Sequence, residues 1–178
     1  WSFANHPVCG PKATVRDVCP PRSFSGLPDS LYLGDGQGGF RDASAEAGLR
    51  ADGKGLGVLL ADIDVDGDVD IYVANDTTDN FLYVNDGRGR FEESCLVSGT
   101  ALDDQGVPNG SMGIDLCDFN RDGLLDAFIG NDTEPNFLFR NDGKGKFTEV
   151  GFEAGVAYTD EGKAAMERLF GDVALIKA

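Results

Sequence analysis

Five aspartates stand within nine residues of the sequence "DIDVDGDVD", at positions 62, 64, 66, 68 and 70. Asp62, Asp64, Asp66 and Asp70 take positions 1, 3, 5 and 9 of this stretch, with Gly67 at position 6. A second stretch, "DFNRDGLLD", places Asp118, Asn120, Asp122 and Asp126 at the same four positions, with Gly123 at 6. Side chains at 1, 3 and 5 of a tight loop converge on one point, and the glycine permits the sharp turn that follows. Donors that are all oxygen, and mostly charged, suit a hard cation with many flexible ligands, which favours Ca²⁺ over Mg²⁺. The backbone carbonyls of Asp68 and Leu124, at position 7, would add to each shell. As bare solvated turns, the same carboxylates would repel one another across about 4–6 Å. The expectation is therefore two calcium sites. An EF-hand does not fit. It requires a glutamate at position 12, where this chain has Val73 and Ile129, and no helical pattern flanks either loop.

Other chemistries find little support. His6 is the single histidine, no cysteine has zinc-ligand spacing, and there is neither a G-x-S-x-G elbow nor a glycine-rich phosphate loop. No catalytic residue is expected. Of the four cysteines, Cys9 and Cys19 bracket a Pro-rich segment with little apolar content, and a disulfide closing it is expected. Cys95 and Cys117 read as strand residues, and whether they pair is left open. A net charge of −16 disfavours nucleic acid and anionic membranes as partners. No stretch approaches the roughly 18 apolar residues of a membrane span.

The loops sit inside a repeat. Residues 57–93 lie over 113–149 at an offset of 56, with 18 identities in 37 positions. Part of the unit recurs earlier: "LYLGDGQGGF" (31–40) matches "LYVNDGRGRF" (82–91) and "LFRNDGKGKF" (138–147). Each full unit reads as four short strands. One precedes the acidic loop and one follows it ("VDIYVAN", "LDAFIGN"), and two more flank an Asn-Asp-Gly hairpin turn. Four-stranded units repeating at this length predict an all-β fold of antiparallel propeller blades. About three blades are visible, so the expected object is a partial or assembly-completed propeller.

At this level of detail the residues resemble a known family. "DIDVDGDVD" and "DFNRDGLLD" are similar to the D-x-D-x-D-G-x-x-D calcium loops of FG-GAP/VCBS-type β-propellers, a repeat also found in integrin α-subunits. Gly57 and Gly113 before the loops, "AND" and "GND" after the second strand, and "NDGxGxF" before the fourth extend the likeness. The combination resembles bacterial VCBS-repeat relatives of cartilage acidic protein. The resemblance implies an extracellular, cell-surface or periplasmic propeller with Ca²⁺ between the first two strands of a blade. The expected organisation is an irregular Cys/Pro-rich insertion (1–30), a partial blade and linker (31–54), blades at 55–110 and 111–163, and a degenerate start of another (164–178).

The function expected is a non-enzymatic structural or adhesive role, with a protein or glycan ligand or further copies of the chain as partner. Two alternatives accompany it. A self-assembling surface or filament subunit would have a native mass well above 18.9 kDa. A calcium-dependent lectin-like accessory module would keep an open coordination position at the metal.

Overall fold

The computed structural model describes residues 7, 9–12 and 15–158; the expected start of a further blade at 164–178 lies outside them. Two four-stranded antiparallel sheets carry the repeat. The first blade is β5 (Gly55–Ala61), β6 (Asp70–Asn75), β7 (Phe81–Asn85) and β8 (Phe91–Glu93), paired in that order. The second is β9 (Ser111–Cys117), β10 (Asp126–Asn131), β11 (Phe137–Gly143) and β12 (Lys146–Glu149). Ahead of them, β3 (Tyr32–Gly34) and β4 (Phe40–Asp42) form a two-stranded half-blade. The all-β, blade-like architecture read from the repeat is therefore present.

The N-terminal segment is more regular than its composition suggests. Strands β1 (Cys9–Lys12) and β2 (Val15–Asp17) pair antiparallel, and Cys9 is disulfide-bonded to Cys19 across a Cα separation of 5.2 Å.

Side-chain alternation explains the packing. In β6, all six residues are buried, because both faces of this inner strand are covered. Its Tyr72 joins Leu82, Ile63 and Ala61 on the face turned to the second blade, where Ala127, Ile129, Phe137 and Phe139 meet them. Its Ile71 and Val73 turn the other way, with Phe81 and Tyr83, and are partly covered by Leu31, Leu49 and Phe91. Fully burying a large side chain is worth about 1.5–3 kcal/mol, so Phe139 in the inter-blade seam and Phe81 on the opposite face of the first blade each contribute on that order.

Two helical turns, which the strand pattern did not anticipate, follow the outer strands: α1 (Ser44–Ala47) and α2 (Cys95–Ser98). Each stops at a left-handed glycine, Gly48 (φ 81°) or Gly99 (φ 91°). Cys95 therefore opens a helical turn rather than lying in a strand, while Cys117 ends β9; both are free thiols.

Candidate metal centre

Each acidic stretch is the connection between the first two strands of its blade: 62–69 links β5 to β6, and 118–125 links β9 to β10. The two loops fold alike. Their fourth residues, Val65 (φ 66°) and Arg121 (φ 64°), and their sixth, Gly67 (φ 98°) and Gly123 (φ 89°), are left-handed. A β-branched residue pays for that conformation, so other bonds must hold Val65 there. They are carboxylate bonds. Asp62 accepts the N–H groups of Asp66 (3.0 Å) and Gly67 (3.1 Å), and Asp64 also accepts from Asp66 (3.2 Å). The second loop repeats this, with Asp118 accepting from Asp122 (3.0 Å) and Gly123 (3.0 Å), and Asn120 from Asp122 (3.0 Å).

The ninth residues do something the sequence pattern did not reveal. Asp70 and Asp126 are fully buried, and each spends both oxygens on backbone donors. Asp70 accepts from Ile63 (2.9 Å) in its own loop and from Asn85 (2.9 Å) at the end of β7. Asp126 accepts in the same way from Phe119 (3.0 Å) and Asn141 (2.8 Å). Each carboxylate thus pins the acidic loop to the hairpin between its third and fourth strands. The partner asparagines were legible only as the first letter of "NDG", a turn signal. Asn141 goes further: its side-chain amide donates to Leu125 O (3.1 Å) and to Ile63 O (2.9 Å) in the first blade. One buried asparagine therefore ties both acidic loops together.

In the first loop, one carboxylate oxygen each from Asp62, Asp64 and Asp70 lies within 4.8 Å of the others. Burial raises the pKa of Asp64, and the neighbouring charges of Asp70, Asp66 and Asp62 push it in the same direction. A cation at that point would relieve both effects, so the donor set fits a hard divalent ion. Asp66 lies in the same loop, but its Oδ1 accepts the Asp68 N–H (2.9 Å). The Asp68 carboxylate lies against Gly87 in the blade's own hairpin turn, where a Cβ would come within 2.6 Å of its Oδ2.

In the second loop, Asp118, Asn120 and Asp122 keep the first loop's hydrogen-bonding pattern, and Leu124 donates its N–H to Asp122 (2.9 Å). The Asn120 amide also donates to Asp122 Oδ2 (2.8 Å), and with Asn120 at position 3 this loop has one carboxylate fewer than the first at positions 1, 3, 5 and 9. Surroundings differ too. Gly145, in the second blade's hairpin, sits beside Asp64, and Asp62 and Asp64 are half-buried, whereas Asp118 and Asn120 are exposed. Of the basic hairpin residues, Lys146 donates to Val97 O (2.7 Å), a bond that braces the second blade against α2.

Comparison with known proteins agrees with this geometry. An FG-GAP-like repeat matches residues 62–129, which run from the first acidic loop into β10. The chain is 33% identical over 137 residues to cartilage acidic protein 1 of Mus musculus, covering 75% of this chain and 21% of that protein. It is 35% identical over 112 residues to the Xenopus tropicalis protein of that name (61% and 17%), and 33% over 126 residues to the Homo sapiens one (69% and 18%). The chain thus spans about a fifth of the length of these curated relatives. Among the described residues, no helix is long and apolar enough to cross a membrane. Acidic loops, blade-like sheets and sequence likeness converge on an FG-GAP-like repeat over residues 62–129, in a chain homologous to a portion of cartilage acidic protein 1.

Proposed function

We propose that this chain is a calcium-stabilised propeller segment with a structural or binding role outside the cytoplasm, and that it catalyses no reaction. The observation that carries this reading is the repeated loop in which Asp62, Asp64 and Asp70 converge and Asp118, Asn120, Asp122 and Asp126 repeat their places. Asp66, and the carbonyls of Asp68 and Leu124, complete the proposed ligand set. Two ions would offset charge where it is densest in a chain of net charge −16. The Cys9–Cys19 disulfide supports an oxidising compartment. The relatives' name, cartilage acidic protein, is in keeping with an acidic extracellular module. Acidic residues in the loops are engaged with backbone N–H groups rather than poised beside a nucleophile, which supports a non-enzymatic role.

Calorimetric titration of Ca²⁺ into the chelator-treated chain tests this reading. Two sites are expected, and Asp62→Ala and Asp118→Ala should each abolish one. The first loop, with its extra carboxylate and partial burial, should bind more tightly, because affinity in oxygen-ligand sites follows charge count and rigidity. Heat of dilution alone would reject the reading.

A further inference from the structure

The two blades are not equally covered, and the repeat shows what is missing. Ile114 and Leu116 of β9 are packed against the first blade as part of the inter-blade core. Their counterparts 56 residues earlier, Val58 and Leu60 of β5, are 64% and 62% exposed. Together with Leu56, Ile71 and Val73 they line a cavity of about 410 Å³, which Leu31, Leu49 and Tyr83 border on the half-blade side. What covers Ile114 and Leu116 is the opposite face of the first blade, including Ala61, Ile63 and Tyr72 from its inner strands and loop. The half-blade supplies Leu31, the counterpart of Leu82, but among the described residues no inner strands lie beside it.

Polar groups mark the same vacancy. Leu31 O and Asp35 N–H bond across the β3–β4 hairpin, so by strand alternation Tyr32 and Gly34 direct their N–H groups to the other edge of β3. That edge is unpaired among the described residues. Gly34 is the counterpart of Asn85 and Asn141, whose N–H groups donate to the buried ninth-position aspartates Asp70 and Asp126. Tyr32, 58% exposed, is the counterpart of Tyr83, which is fully buried. The amide of Asn141 also reaches Ile63 O in the preceding loop, whereas among the described residues that of Asn85 donates only to Val69 O (3.0 Å) in its own blade.

From these correspondences we infer that the open flank of the first blade is a docking site for a strand–acidic loop–strand unit of this same repeat, which completes the half-blade. Its second strand pairs with β3. Its ninth-position aspartate accepts the Gly34 N–H, and a backbone carbonyl of its loop accepts from the Asn85 amide. Its apolar face covers Val58 and Leu60. This inference rests on the blade geometry and not on calcium.

The probe is a synthetic peptide of residues 55–75, whose Ala61, Ile63 and Tyr72 already cover the equivalent face of the second blade. It is added to the full 178-residue chain, with and without Ca²⁺, and amide hydrogen exchange is followed on the chain. Exchange at Tyr32 and Gly34 should slow saturably by about tenfold or more. A peptide carrying Asp70→Ala should lose protection at Gly34, and one carrying Tyr72→Asp should not bind; both controls leave the chain itself unaltered. Chain variant Val58→Asp, at an exposed position, should also fail to bind. Two results would overturn the inference: unchanged exchange at both amides, or equal protection by the Tyr72→Asp peptide.

Discussion

At the scale of single residues, the acidic loops divide their carboxylates between two tasks. Asp62, Asp64 and their counterparts Asp118 and Asn120 line the turn, while Asp70 and Asp126 are buried anchors for backbone N–H groups. An amide in place of an anchor carboxylate keeps one acceptor and sets its NH₂ against a backbone donor. Asp126→Asn should therefore cost about 1.5–3 kcal/mol, the range for hydrogen bonds to charged groups, even with calcium chelated. Urea denaturation in EGTA measures it, and an unchanged midpoint would rule out the anchoring role of Asp126. Cys95 makes a second prediction. Burial pushes its thiol from 9.0 up to about 12, the Glu93 charge adds to that, and the Thr100 hydroxyl opposes it. The unfolded thiol loses its proton first, so the unfolded state binds fewer protons above pH 9 and stability falls as pH rises toward 12. Buried Tyr72, also raised by burial, acts in the same direction. The Cys95→Ala variant should show a shallower alkaline loss of stability than the parent chain.

At the scale of elements, the backbones of the two blades approach each other at a pair of glycines. A Cβ on Gly57 of β5 would lie 3.2 Å from the Cα of Gly113 and 3.5 Å from Ala74 and Ile114, whereas one on Gly113 would meet nothing within 4 Å. Gly57→Val should cost about 1–3 kcal/mol by overpacking the seam, and Gly113→Val much less. Thermal melts of the two variants compare them directly, and equal losses would contradict the seam described. These elements also show what a sequence can carry. Strands β5–β12 were legible because apolar alternation, Asn-Asp-Gly turns and the 56-residue offset all agree. Turns α1 and α2 were not: "SAEAG" and "CLVSG" are too short to show a helical period, and their left-handed glycines look like ordinary turn residues. Asn85 and Asn141 were missed because their side-chain NH₂ groups donate to carbonyls 16 to 78 residues away, and local spacing is blind to such contacts.

At the scale of the molecule, the described residues form two complete blades and one half-blade, and stability is built from neighbour-to-neighbour seams. The two acidic loops belong to that system rather than hanging from its edge, since Asn141 joins the carbonyls of Ile63 and Leu125. An ion bound only by the folded chain stabilises it by mass action, about 2.7 kcal/mol per site at a hundredfold excess over Kd. The most direct test is a thermal melt of the purified chain in millimolar Ca²⁺ against excess EGTA, with Mg²⁺ as the control. A calcium-specific rise in Tm is expected, shrinking in Asp66→Ala and again in Asp122→Ala. A melting temperature indifferent to calcium would contradict it.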